Sequence, residues 1–182
     1  MIEVKINGLF LTQSQASGVI LKELKGDRTL PIIIGEYEAQ SIALGLEKIK
    51  PPRPITHDLA LSMLDSLMAN IDRIVVTELK NNTYYAIIYL TQDSKKYEID
   101  SRPSDAIALA VRRNIPIFVE EEVMEKGAYT PEDVQDTEGS PLNLAEDRLQ
   151  KLKNELQEAV EKEEYEKAAK IRDEIKRLQS RH

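Results

Sequence analysis

Three short clusters in this 182-residue chain carry the residue types that hydrolytic or phosphoryl chemistry needs. Gly35-Glu36 follows an apolar run and opens a helical pattern. Arg53-Pro54-Ile55-Thr56-His57-Asp58 closes a proline-rich stretch and opens a second helical pattern. Asp100-Ser101-Arg102-Pro103-Ser104-Asp105 stands at the start of a third. In each cluster a structural reading competes with a chemical one. Glu36 either complements the positive end of a helix or serves as a site carboxylate. Thr56 either caps a helix whose first turn holds a solvated His57 and Asp58, or those two residues act on a substrate. In the third cluster Ser101 or Ser104 suffices as a cap, with Asp105 in the first turn. Arg102 is harder to account for, because a cation near the positive end of a helix wants an anionic partner. That partner is a carboxylate of this protein or a phosphate.

Several chemistries are excluded. The chain has no cysteine, so it has no disulfide, thiolate metal site or cysteine nucleophile. It has no glycine-rich phosphate loop, no metal-ligand histidine pair and no nucleophile elbow. A serine triad would need His57 as its base, since the other histidine is the C-terminal His182. Carboxylates holding Mg²⁺ or Mn²⁺ are the more natural tool, because such ions accept a few carboxylates together with water and substrate phosphate. Glu36, Asp58, Asp72, Asp100 and Asp105 are the acidic candidates. Glu36, His57, Asp58 and Asp105 form the expected catalytic set, with His57 as base. Asp58, Asp100 and Asp105 are the expected metal ligands, and Arg53, Arg102, Ser101 and Ser104 the expected substrate contacts.

The elements that position these clusters follow from periodicity. Residues 2–11 and 18–24 read as strands joined by a turn over 12–17. Residues 28–34 end in Leu30-Pro31-Ile32-Ile33-Ile34, a run suited to a strand buried on both faces. A helix is expected from Gly35 or Glu36 to Ile49, with Ala39, Ile42, Ala43 and Leu46 on one stripe. Pro51-Pro52-Arg53-Pro54 ends it. A second helix over 57–69 places Leu59, Ala60, Met63, Leu64 and Leu67 on its apolar positions, with Thr56 as N-cap. Residues 72–80 and 83–91 form a hairpin through Asn81-Asn82, and 95–100 adds a third strand. A third helix runs from Pro103 or Ser104 to Asn114 with Ala106, Ile107 and Ala110 inward. Ile115–Val119 is a short strand that Pro116 assigns to a sheet edge or a strand start. Strands and helices mix without regular alternation, so the fold class is α+β, with a mixed or antiparallel sheet and packed helices.

The C-terminal third differs. Residues 131–145 read as an acidic linker after Gly127, and residues 146–182 as an antiparallel helical hairpin. Its stripes are Leu149, Leu152, Leu156 and Val160, then Tyr165, Ala168, Ala169, Ile171, Ile175 and Leu178. The formal charge of −7 sits almost wholly between these parts. Residues 1–119 carry 14 basic and 14 acidic side chains, whereas residues 120–145 carry eight acids against Lys126. Nucleic-acid binding normally leaves a basic footprint, and no basic run is visible. The N-terminus lacks a basic region followed by an apolar run, and no stretch approaches the roughly 20 apolar residues of a membrane helix. A cytoplasmic protein with no membrane partner is the expectation.

Three motifs in order resemble the bifunctional nuclease domain family over roughly residues 1–130. They are Pro31-Ile32-Ile33-Ile34-Gly35-Glu36-Tyr37-Glu38-Ala39, Arg53-Pro54-Ile55-Thr56-His57-Asp58, and Ile99-Asp100-Ser101-Arg102-Pro103-Ser104-Asp105-Ala106-Ile107-Ala108. The resemblance implies a mixed α/β fold, activity on DNA and RNA, and a homodimer. Residues 146–182 resemble the UVR module through Glu164-Tyr165-Glu166-Lys167-Ala168-Ala169-Lys170-Ile171-Arg172-Asp173-Glu174-Ile175. That module is found in the B and C subunits of the nucleotide-excision repair nuclease and in some stress-response regulators, which implies UVR-containing protein partners. Two functions remain open: a metal-dependent nuclease recruited by its UVR module, or a non-enzymatic adaptor in a repair or stress complex. The discriminating observation is whether Glu36, His57, Asp58, Arg102 and Asp105 converge.

Overall fold

The computed structural model describes residues 1–11, 16–130 and Arg172. The chain divides into two units, Met1–Asp133 and Val134–His182, and the fold described is that of the first. The expected acidic linker at 131–145 and helical hairpin at 146–182 lie outside the described residues.

Among the described residues, alternating apolar residues produce seven strands: β1 (Ile2–Leu11), β2 (Ser17–Glu23), β3 (Thr29–Ile34), β4 (Asn70–Lys80), β5 (Thr83–Gln92), β6 (Lys95–Ser101) and β7 (Ile117–Val119). The described helices are α1 (Glu36–Leu46), α2 (Thr56–Ser66), α3 (Pro103–Arg113) and α4 (Glu121–Gly127). The strands form one curled sheet in the order β3-β2-β1-β7-β4-β5-β6. All neighbours are antiparallel except β4 and β7. The sheet is therefore mixed and the fold α+β. Asn81-Asn82 joins β4 to β5 as expected, with both φ angles positive, the geometry of a two-residue hairpin turn. Asp93-Ser94 does the same between β5 and β6.

Register assigns the two faces. Ile74, Ile88 and Ile99 stand side by side on β4, β5 and β6, and Ile74 and Ile88 belong to the core beneath α3. The next residues along, Val75, Ile87 and Asp100, occupy the opposite face. Helix α3 is the centre of the helical layer. Pro103, Ser104, Ala106, Ile107, Ala108, Leu109 and Ala110 are all buried, so it is enclosed nearly all round, with α1 and α2 against it. Gly45 of α1 makes that approach close, since a Cβ there would collide with Val111 of α3.

The structure departs from the sequence reading at five places. The run through Pro31 is not buried on both faces. β3 is an edge strand, with Leu30 and Ile32 buried and Ile33 exposed, and an edge is where a strand tolerates a residue with no N–H. Pro116 marks a strand start and not an edge, for β7 lies at the centre between β1 and β4. Helix α1 ends at Leu46, not Ile49, and buries Ser41, Ile42 and Gly45 while Leu46 and Ile49 are exposed. Of the expected apolar positions of α2, Leu59, Met63 and Leu67 are exposed, and its buried residue is Leu61. Finally, α4 was not anticipated; its acidic first turn hides Val123 and Met124, both buried.

Ile107 has no exposed surface and touches the core from the middle of α3. Ile107→Ala is expected to lower unfolding free energy by about 2–5 kcal/mol, measured by denaturant titration of the full chain. A loss below about 1 kcal/mol would mean α3 is not the centre of the core.

Candidate functional site

Polar residues of α1, α2 and α3 form one connected network that runs along α3 from its N-cap to its last turn. Arg102 is the N-cap residue of α3 and has extended backbone. Its Nε and Nη2 donate to Asp105 at 2.7 and 3.1 Å, and its Nη1 donates to Glu38 of α1 at 2.9 Å. The cation near the positive helix end thus finds carboxylates of this protein, the first of the two partners that its position called for. Together they raise the Arg102 pKa, through the hydrogen bonds it donates to Asp105 and then to Glu38, which outweigh desolvation.

Asp105 in turn faces His57 of α2, with 3.3 Å between Oδ1 and Nε2. The other imidazole nitrogen, Nδ1, lies 2.8 Å from the Ser41 hydroxyl of α1. Arg112, two turns after Asp105 on α3, donates from Nη2 to the Ser41 hydroxyl at 3.3 Å and from Nη1 to the Ser41 carbonyl at 3.1 Å. With that hydroxyl oxygen already accepting, its proton is free for Nδ1, which assigns the Nε2–H tautomer facing Asp105. Arg112 Nε donates to Asp58 at 2.9 Å. Asp58 also accepts the Ile55 N–H at 3.2 Å, bracing the first turn of α2 from inside. Thr56 is therefore not the N-cap; it is the first helical residue, and Ile55 is the cap residue.

Burial alone would raise the Asp105 carboxyl, but the hydrogen bonds and charge of Arg102, with a smaller share from His57, leave it below its ordinary value. Three carboxylates, Glu38, Asp58 and Asp105, face two guanidiniums. Ser41, His57 and Asp105 are connected in the order of a serine triad. Ser41, however, is only 7% exposed and wedged under Arg112, so a substrate carbonyl or phosphorus cannot reach its hydroxyl.

Of the residues singled out in the sequence, His57, Arg102 and Asp105 touch directly, and Asp58 joins through Arg112 and Ser41. The others do not converge. Glu36 and Arg53 are exposed and make no side-chain bond among the described residues. Ser101 donates to the Arg102 carbonyl, and Ser104 is buried at 5% exposure. Asp72 accepts from Thr91 on β5. Asp100 pairs with Ile87 on the sheet face opposite α3, so Asp58, Asp100 and Asp105 are not brought together. Among the described residues no group of three or more His, Asp or Glu stands close enough to hold a metal ion. Asp58 and Asp105 are already engaged by arginines, so the described residues offer no ready-made cage. An octahedral ion held by one or two carboxylates, water and substrate phosphate would still fit, if Arg102 yields Asp105 and Glu38.

Sequence reasoning missed Glu38, Ser41 and Arg112. Two signals were present: a polar Ser41 on the buried stripe of α1, and Asp105 and Arg112 seven residues apart on one face of α3.

Comparison with known proteins agrees with both family resemblances. The family model described as "Bifunctional nuclease domain" matches residues 19–132, and that for the "UvrB/uvrC motif" matches residues 146–181. The chain is similar to an uncharacterised protein of Mycobacterium tuberculosis (strain CDC 1551 / Oshkosh), 36% identical over 86% of this chain and 93% of that protein. It is also similar to "Bifunctional nuclease 1" of Oryza sativa subsp. indica, 31% identical over 56% of this chain and 32% of that protein. "Bifunctional nuclease 2" of Arabidopsis thaliana is 25% identical over 91% of this chain and 56% of that protein. The chain thus spans about a third to a half of these plant relatives. No helix among the described residues is long and apolar enough to cross a membrane.

Because the Asp105 pKa is lowered in the folded state, Asp105 stabilises the fold above the ordinary carboxylate range and loses that contribution as pH falls through it. Asp105→Asn is expected to flatten the stability profile below about pH 4, read by thermal unfolding across pH. An unchanged acid limb would show that the Arg102–Asp105–His57 contacts do not persist in solution.

Proposed function

The chain belongs to the bifunctional nuclease domain family, and on that premise we propose that it cleaves phosphodiester bonds in DNA, RNA or both. The observation that carries this reading is the convergence of His57, Asp105 and Arg102 at one end of the three helices. Arg102 is the movable part. Its side chain is 64% exposed, and two of its five N–H groups are left over after the bonds to Glu38 and Asp105. A substrate phosphate competes for that fork, because planar guanidinium suits two phosphate oxygens. His57 would hold the proton on Nε2 while Ser41 fixes Nδ1, and that Nε2–H would reach a leaving oxygen once the substrate draws Arg102 and Asp105 aside. Of the expected catalytic set, His57 and Asp105 keep this role, Asp58 acts as a positioning residue through Arg112, and Glu38 stands where Glu36 was expected.

A Mg²⁺ or Mn²⁺ requirement belongs to the same proposal. The support is the excess of three carboxylates over two guanidiniums, to which an approaching phosphate adds more negative charge. An ion bound with the substrate, by Asp105 and Glu38, would supply positive charge and polarise the phosphoryl group. The matched UVR motif supports recruitment by UVR-containing proteins. Homodimer formation and a cytoplasmic location complete the reading.

A second reading has its own support. Every carboxylate of the network is bonded to an arginine, and residues 1–119 have no net charge. A network so satisfied also serves as a clasp between helices, leaving the domain as an adaptor.

The experiment is cleavage of single- and double-stranded DNA and RNA by the full chain, with Mg²⁺, Mn²⁺ or EDTA. His57→Ala and Arg102→Ala are each expected to lower kcat/KM by about 10²–10⁴-fold with the fold intact by circular dichroism. Cleavage indifferent to both substitutions overturns the site, cleavage that survives EDTA removes the metal, and absence of cleavage on every substrate favours the adaptor.

A further inference from the structure

The two ends of the sheet are treated differently. At one end β3 carries Pro31, which cannot donate, and its Thr29 is bridged by Tyr129. At the other end β6 is seven residues long, contains no proline or bulge, and is paired on one side only, with β5, among the described residues. From Lys95 to Asp100 each residue is exposed, including Tyr97 at 40% and Ile99 at 46%. These two apolar side chains project to the helix side of the sheet, in register with Leu90 and Ile88. The last turn of α2 lies beside the same end, because the Gln92 side chain donates to the Leu67 carbonyl at 2.8 Å. Leu67 and Met68 there are 57% and 75% exposed, and Met63 one turn back is 59% exposed.

The charge order of β6 selects an occupant for this edge. Its first half is basic, Lys95 and Lys96, and its second half is acidic, Glu98 and Asp100. A strand of this pattern is self-complementary when it runs antiparallel to its own copy. Edge lysines normally discourage pairing, and they do so here for any strand lacking acids at the matching places. We infer that β6 is the interface between two copies of this chain, joined edge to edge about a two-fold axis perpendicular to the sheet.

Opposite residues in an antiparallel pair share a face, so the axis passes through a residue. Centring on Tyr97 sets Lys96 against Glu98 of the partner subunit and Tyr97 against its own copy. Centring on Glu98 would instead set like charges face to face. A two-fold arrangement is closed, so the pairing stops at a dimer. Backbone pairing along seven residues falls short of the roughly 1,000 Å² that a specific interface needs. The exposed Met63, Leu67 and Met68 beside the same edge supply apolar area to complete it.

This inference rests on the homodimer part of the function proposed above and is independent of nuclease activity. The chain has no cysteine, so a single introduced thiol reports on the interface alone. Paired Cβ atoms across a strand pair lie about 4.5–5.5 Å apart, close to disulfide range. Full-length Tyr97→Cys is expected to form a disulfide-linked dimer under mild oxidation at least about tenfold faster than a Tyr37→Cys control, whose site on α1 is 83% exposed. In light scattering the wild type should have the mass of a dimer. Lys96→Glu or Glu98→Lys should each weaken association by about tenfold or more, and the double variant should restore it. A dimeric wild type with no preferential Tyr97→Cys linkage, or with charge reversals that leave association unchanged, overturns the β6 interface alone. A monomeric wild type overturns the homodimer with it.

Discussion

A guanidinium that is nine-tenths buried ties the helical layer together. Arg112 donates to the Asp58 carboxylate of α2, to the carbonyl and hydroxyl of Ser41 in α1, and to the Ala108 carbonyl one turn back in its own helix. Taking such a charge out of water costs several kcal/mol unless its donors are matched, and here all three nitrogens have acceptors. The match depends on distance. It requires α1 to approach α3 closely enough that Gly45 has no room for a side chain. It also requires α2 to start with Asp58 one turn in, where the carboxylate both accepts the Ile55 N–H and meets Arg112. Helix α2 depends on it most, since α2 buries only Leu61 whereas α1 buries three residues and α3 seven.

The second arginine, Arg102, makes similar bonds in a different environment. Its two carboxylate partners belong to α1 and to its own helix, but its side chain is mostly in water. Solvent weakens those bonds, so Arg102 can be drawn away at modest cost where Arg112 cannot. Between them lies His57, with both ring nitrogens engaged. The network therefore runs from a fixed, dry end at Arg112 to a loose, wet end at Arg102.

The sheet follows a parallel logic. Its centre, where β7 is inserted between β1 and β4, is covered by α3 and α4 and carries Ile74, Val76, Ile117 and Val119, all buried. The cover thins toward β6, where Ile99 continues the row of Ile74 and Ile88 but is left nearly half exposed. Apolar surface at an open strand edge is costly to leave in water and hazardous to leave unpaired. The basic first half and acidic second half of β6 restrict what can pair there.

Period and turn chemistry are local, and they alone determined much of the molecule. Alternation over residues 2–11 and 83–91, the paired asparagines at 81 and 82, and the Ser-Arg-Pro-Ser start of α3 depend on neighbours in sequence, so the α+β class and most element boundaries were legible. The motifs that carry the family resemblance are local as well. Whatever depended on which surface covers an element was not legible. The Leu30–Ile34 run reads as doubly buried, yet β3 lies at the sheet edge beside β2 and only the face of Leu30 and Ile32 is covered, leaving Ile33 exposed. Leu59, Met63 and Leu67 read as a core stripe, yet α3 presented itself to the opposite side of α2. Asp100 and Asp105 are five residues apart in sequence, but strand alternation sends one to the far face of the sheet while the helix start keeps the other beside His57. Ser41, Glu38 and Arg112 entered the site only because α1 and α3 pack through a glycine, a contact between residues some 70 positions apart that no local pattern encodes.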